Sequence, residues 1–274
     1  MNRSRRCGVP GHDALAGAAA IVTGGTRGIG RAVVDLLTAE GARVLCTGAS
    51  ETTVAALRES MARHGSSVVV VRQDMRAEDA AHRLVEMAAD AFGAIDVLVN
   101  NASGYEYKDP GEVGRADWLD LFQIKALGYW SLASAAFDYL KESRGSVVNV
   151  AGTAGVVARP TAVHVAAVNA AVISMTESLA LAWTDAGVRV NAVSPGATAT
   201  DRFTTRARLY ADTHGVTLDA ARVALSADIP AGGPADPNEV ARIIVTLSSP
   251  SLRSVTGTHV IVDGGRTLGR RRRG

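Results

Sequence analysis

The chain has 274 residues, 47% of them apolar and 20% charged, with a formal net charge of +2. That length and apolar fraction suit one large domain with a sizeable core, and no uninterrupted apolar run reaches the roughly 18–20 residues of a membrane span. Eight arginines sit in the two ends (Arg3, Arg5, Arg6, Arg266 and Arg270 to Arg273), so removing them from the total of +2 leaves a mildly acidic body of −6 over residues 13–263.

Residues 1–13 read as a flexible basic tail, as do residues 267–274, and a solvated tail is the expectation rather than a nucleic-acid contact. The N-terminal stretch lacks the apolar h-region of a signal peptide, which places the expected protein in the cytoplasm. Its two cysteines, Cys7 and Cys46, argue against a disulfide or a structural zinc site, and no metal is expected. The first strand, Ala18 to Val22, feeds a four-glycine loop, and an apolar helical pattern then starts at Ile29. Strand, glycine loop and helix N-terminus together offer free backbone N–H groups to a phosphate.

Further strands are predicted at Arg43–Thr47, Ser67–Val71, Ile95–Val99, Ser146–Val150, Arg189–Val193 and Thr258–Val262. The four consecutive valines in the third are typical of a strand buried on both faces of a parallel sheet. Helices are predicted at Glu51–Arg63, Ala77–Phe92, Asp117–Leu140, Ala162–Trp183 and Asn238–Ser248, and residues 197–233 read as a polar, irregular substrate lid with short helices. Alternating strands and helices without an interrupting linker give a single α/β domain over residues 14–266, a seven-stranded parallel sheet covered on both faces. Ligands of such sheets bind beyond the carboxyl ends of the strands. There the glycine loop, Cys46–Ser50, Asp74, Asn100–Gly104, Ala151–Gly155 and Pro195–Thr200 line one crevice.

Those markers, in that order, resemble the short-chain dehydrogenase/reductase family. Thr23 to Gly30 is similar to its cofactor loop, Asn100-Asn101-Ala102-Ser103 to its turn after the fourth strand, Ser194-Pro195-Gly196 with Thr200-Asp201 to the loop at the nicotinamide end, and Val255 to Gly265 to its last strand. The resemblance implies a Rossmann-type doubly wound fold, a small-molecule substrate and a homo-oligomer, dimer or tetramer, paired through the two long helices. It implies cofactor contacts from Gly24, Thr26, Arg27, Gly28, Ile29, Gly30, Ser50, Asp74, Met75, Asn100, Ala102, Asn169, Pro195, Gly196, Thr198 and Thr200. The second strand ends in Cys46-Thr47-Gly48-Ala49-Ser50 with no carboxylate for a ribose hydroxyl, while Arg27 and Ser50 can meet a 2′-phosphate, so NADP is favoured over NAD. The family's usual second arginine falls at Ala49, which thins that site.

The usual catalytic residues are a serine, a tyrosine with a lysine four residues later, and an asparagine on the preceding long helix. Aligned on this chain, their positions hold Gly152, Val165, Asn169 and Lys125. Valine and glycine transfer no proton. Candidate substitutes are Lys125, as a desolvated acid or anion site, Thr153, His164 and Asn169, with Tyr105 and Tyr107 overhanging the pocket. The peroxisomal 2,4-dienoyl-CoA reductases, a branch that also lacks the serine and tyrosine, are similar around Asn100–Gly104 and at His164. Three readings follow: an NADP(H)-dependent oxidoreductase of a carbonyl or conjugated enone with a rebuilt acid; a non-redox isomerase, dehydratase or cyclase; and a catalytically inactive cofactor-binding protein. Lid residues Arg202, Arg206 and Arg208 can meet an anionic substrate.

Overall fold

The computed structural model describes residues 14–105, 108–158 and 160–269. Tyr107, Cys7, the arginines of residues 3–6 and those of 270–273 lie outside the described residues. The strands are β1 (Ala19–Val22), β2 (Arg43–Gly48), β3 (Val68–Arg72), β4 (Val97–Asn100), β5 (Ser146–Val150), β6 (Arg189–Pro195) and β7 (His259–Val262). They form one parallel sheet in the order β3-β2-β1-β4-β5-β6-β7. The chain starts mid-sheet, winds outward to β3, then crosses back to β4 and proceeds to β7. The order reverses between β1 and β4, which makes the gap beyond their carboxyl ends the natural ligand crevice.

Alternation along β1 feeds two apolar layers. Ala20 and Val22 enter a core shared with α1 (Gly28–Ala39), α2 (Glu51–Met61) and α10 (Pro237–Ser248). Ala19 and Ile21 enter the opposite core, shared with α3 (Ala80–Phe92) and the helices before β5. Both layers are filled by valine, leucine, isoleucine and alanine, and both faces are covered, as a parallel sheet requires.

The long helix expected over 117–140 is interrupted. It comprises α4 (Arg115–Phe122), one π-turn (Gln123–Leu127), α5 (Gly128–Ala135) and α6 (Phe137–Ser143). Glycine at 128 fits the widened turn, because a Cβ there would lie 3.0 Å from the Gln123 carbonyl oxygen. The apolar period alone could not show one extra residue per turn. Residues 197–233 are also more regular than expected: α8 (Asp201–His214) and α9 (Leu218–Ser226) pack around Ala207, Ala211 and Ala221. A stripe of small alanines among arginines gives little apolar signal. Helix α3 begins at Ala80, three residues later than expected, and a 3₁₀ turn, Arg266–Leu268, extends two residues beyond 266. Helix α7 (Val163–Trp183), with the turn before it, is long and apolar enough by length and composition to cross a membrane. Here its face of Val165, Val168, Val172, Thr176 and Ala180 is buried in the fold.

Candidate active site

The glycine loop is built by close approach. Gly24, at φ +65°, would place a Cβ 2.9 Å from the Ala102 Cα, and a Cβ on Gly30 would sit 2.2 Å from the Gly24 carbonyl oxygen. Gly28, at φ +56°, faces the Thr200 methyl at 3.3 Å from the same ideal position. The loop is tied to the β4 turn through Thr23, whose buried Oγ1 accepts from the N–H groups of Asn101 and Ala102, both at 3.0 Å. Asn101 returns the contact, donating Nδ2 to the carbonyls of Thr23 and Gly24. Thr26 accepts from Thr53 Oγ1 at 3.1 Å, which fixes the loop's far side. Ile29 and Gly30 lie in the first turn of α1.

At the outer end of the crevice Arg27 and Ser50 are exposed, each immediately before a helix. Asp74 is exposed and paired with Arg76 at 2.8 Å, and Arg76 also binds Asp120 on α4; Met75 beside them is buried. A cation missing from the sequence reading stands here. Arg72, at the end of β3 and in register with Gly48, donates Nε to the Ala49 carbonyl at 3.3 Å. A positive charge thus lies beside position 49, carried by the neighbouring strand. Its only sequence signal is a charged residue directly after four valines.

Lys125 lies at the centre of the π-turn, buried. Its Nζ donates to the Ala151 carbonyl at 2.7 Å and to Asn169 Oδ1 at 2.5 Å. Burial, reinforced by the positive charge of Arg202, pulls its pKa down from 10.5 to about 7. Thus the structure joins two of the candidates, Lys125 and Asn169. The lysine expected at 169 and the asparagine expected at 125 are both present, with their positions exchanged. Gly152 touches the same group, since a Cβ there would come 2.9 Å from Asn169 Nδ2. Thr153 is buried in the next turn, Thr153–Gly155.

Val165 is buried in an apolar cluster with Leu121, Tyr129, Ala151 and Val168. The Tyr129 hydroxyl donates to the Ala102 carbonyl at 2.9 Å, and burial raises its pKa. His164 points elsewhere. With Tyr105, Asp117 and Asp120 it lines an open pocket of about 320 Å³, its ring edge-on to Trp118. Its Nδ1 is buried without a hydrogen-bond partner among the described residues. Burial lowers its pKa, against the opposing pull of Asp117, and the ring is neutral near pH 7. Helix α8 reaches this pocket: Arg202 stacks on Tyr105 at 4.4 Å and donates to the Ser103 carbonyl at 3.4 Å.

Asn100 is buried between strands, donating to the Tyr129 carbonyl and to Asn149 Oδ1. Beyond β6 Gly196 lies against Asp263, where a Cβ would come 2.7 Å from the Asp263 Cβ. Pro195 closes β6, Thr198 is buried, and Thr200 precedes α8. Among the described residues no group of three metal-ligating side chains occurs.

The chain matches the family model described as Enoyl-(Acyl carrier protein) reductase over residues 24–267. It is 32% identical to the 3-oxoacyl-[acyl-carrier-protein] reductase FabG of Vibrio harveyi, over 92% of this chain and 98% of that protein. Glucose 1-dehydrogenase 2 of Bacillus subtilis is 32% identical over 93% and 96%, and the L-fucose dehydrogenase of Mus musculus 32% over 92% and 89%.

Proposed function

From the premise that this chain belongs to the short-chain dehydrogenase/reductase family of oxidoreductases, we propose that it is an NADP(H)-dependent oxidoreductase of a small-molecule carbonyl or conjugated enone. The observation that carries this is the glycine cradle, where added Cβ atoms at 24 and 30 would strike backbone atoms. Such a cradle suits a pyrophosphate laid over a helix N-terminus. Gly24, Thr26, Arg27, Gly28, Ile29 and Gly30 would hold the phosphates. Ser50, Asp74 and Met75 would hold the adenosine, while Asn100, Ala102, Pro195, Gly196, Thr198 and Thr200 flank the nicotinamide. The exposed Arg27 in the glycine loop and the exposed Arg72 at the end of β3, with no carboxylate among residues 46–50, favour the 2′-phosphate. When bound, the cofactor supplies hydride to the substrate carbon.

Lys125 is the acid in this reading. Two of its ammonium protons are held by neutral carbonyl oxygens, and the third is free for the oxygen on which negative charge develops. Giving it up leaves a neutral amine, which the buried setting favours. Tyr105, Arg202 and the His164 pocket would form the mouth through which substrate enters. Buried, unpaired Cys46 suits the reducing cytoplasm, since burial raises its pKa to about 12 and keeps the thiol inert.

The test is NADPH oxidation against a panel of ketones, aldehydes and enones. Turnover in the wild type that falls roughly 10²–10⁴-fold in Lys125→Met supports the reading, and tight NADPH binding without turnover on any compound would sink it. A second reading rests on Val165 and Gly152, whose side chains exchange no proton: a non-redox isomerase, dehydratase or cyclase on the same scaffold. Transfer of label from deuterated NADPH into product decides against it.

A further inference from the structure

Three of the chain's 29 basic side chains are lysines: Lys108, Lys125 and Lys141. Arg189 is also buried, with its guanidinium spread over the carbonyls of Leu247, Ser248 and Ser249, whereas the buried ammonium at 125 has two acceptors. A guanidinium holds its proton throughout the physiological range and needs a planar set of acceptors, whereas an ammonium can lose a proton and needs only point acceptors. The residue type at 125 therefore fits proton exchange better than fixed charge.

What surrounds the ammonium is equally specific. Its two acceptors, Ala151 O and Asn169 Oδ1, are uncharged. Neighbouring elements carry Arg115, Asp117 and Asp120 on α4, Tyr129 on α5, and His164 and Glu177 on α7. Asp117 is committed to Lys108 and Asp120 to Arg76, and the group whose charge acts on Lys125 is Arg202 from α8. The Asn169 amide is enclosed by glycines. A Cβ at 152 would come 2.9 Å from Nδ2, and one at 155 would come 2.8 Å from the Asn169 Cβ. Under 3.0 Å one of the two must move, and at 155 the obstruction includes backbone.

We propose that Asn169 is the positioning residue for Lys125 and that Gly152 is the vacancy its amide requires, so that the three form one unit directing the free ammonium proton into the crevice. This rests on the reading of Lys125 as proton donor. Serine at 152, the residue the family resemblance expects, would break this unit.

The chain's own composition makes the test direct. Protein labelled with ¹³Cε-lysine has three lysine signals, and Lys125→Met identifies one of them. Its chemical shift is followed against pH, with and without NADPH. The wild-type midpoint is expected well below those of Lys108 and Lys141. In Asn169→Asp a carboxylate replaces the amide oxygen and the midpoint should rise by at least one pH unit. In Asn169→Leu and Gly152→Ser it should move off the wild-type value, each by a similar amount. An unchanged midpoint in Asn169→Asp, or in Gly152→Ser with Lys108 and Lys141 signals intact, overturns the proposal. Gly152→Ala serves if the serine variant fails to fold, and Asn169→Asp adds no volume. Shifted midpoints without hydride transfer on any substrate would sink the proton-donor reading alone, and turnover with unshifted midpoints would sink the positioning role alone.

Discussion

Lys125 costs the fold stability. Its pKa is about 7 in the folded protein against 10.5 as the ordinary value. A base whose folded pKa is depressed binds fewer protons folded than unfolded between those two values, so stability rises with pH across that window. The penalty is complete below pH 7, on the order of 5 kcal/mol, and is gone above pH 10.5. Lys125→Met is therefore expected to raise the melting temperature, with a gain at pH 6 that roughly halves by pH 9, measured by thermal unfolding at both pH values. An enzyme that becomes more stable and less active on one substitution places that side chain at work rather than in the scaffold. At the same scale, Arg72→Ala should weaken NADPH binding about tenfold and leave NADH binding unchanged, as loss of one charge-assisted hydrogen bond would; equal loss for both cofactors would remove Arg72 from the phosphate site. The sequence brings both Lys125 and Asn169 to notice, but they are 44 positions apart and their hydrogen bond is a tertiary fact. Arg72 escapes because strand register, not sequence proximity, sets it beside Ala49.

Among elements, the glycine loop is the most legible. Its glycines stand out in the sequence because a Cβ is excluded by backbone, and that exclusion is geometric rather than a matter of side-chain choice. Gly30→Ala is expected to lose cofactor binding and roughly 1–3 kcal/mol of stability, since backbone must shift to admit the methyl group. Gly65→Ala is the control. Unlike Gly30 it has positive φ, at +54°, but nothing lies within 4 Å of the new Cβ, so it should cost about 1–2 kcal/mol from backbone strain alone and leave NADPH affinity unchanged. Titration calorimetry with denaturant melts separates the two. The π-turn was not legible, because apolar residues at 121, 124, 127 and 132 fit an unbroken helix about as well. Only the packing shows that Lys125 and Ile124 are both buried within that turn. Within residues 197–233 the sequence points only to short helices in an irregular stretch, because the buried face of α8 and α9 is made of alanines, which carry little transfer free energy.

For the whole molecule, strand count and the parallel sheet follow from sequence alternation, and right-handed crossovers set on which face each helix lies, while the strand order is seen only in the fold. What alternation cannot supply is what covers the outer helices. Trp118, Leu119, Phe122, Leu127 and Trp130 are all exposed along α4, the π-turn and α5, and Leu181 at the end of α7 is 83% exposed. Monomers seldom leave so much aromatic and aliphatic surface to water. We propose a homo-oligomer, dimer or tetramer, assembled through these helices. Trp130→Glu should shift the native mass toward monomer, read by light scattering across concentration, and a wild type that is monomeric at micromolar concentration would end the idea. Since the same helices carry Lys125 and Asn169, dissociation should also lower turnover.

The exchange of lysine and asparagine between 125 and 169 has an evolutionary consequence. Reaching it one substitution at a time passes through either two lysines or two asparagines. The first would bury two ammonium groups against each other; the second would leave neither position with an ammonium. A serine at 152 would have to displace the Asn169 amide, because a Cβ there comes 2.9 Å from Nδ2. Lineages on the two sides of this step should therefore be separated by several linked differences, with few survivors between. A comparison that scores one position at a time will count this chain as having lost its site, where one that scores residues in pairs will find both partners present.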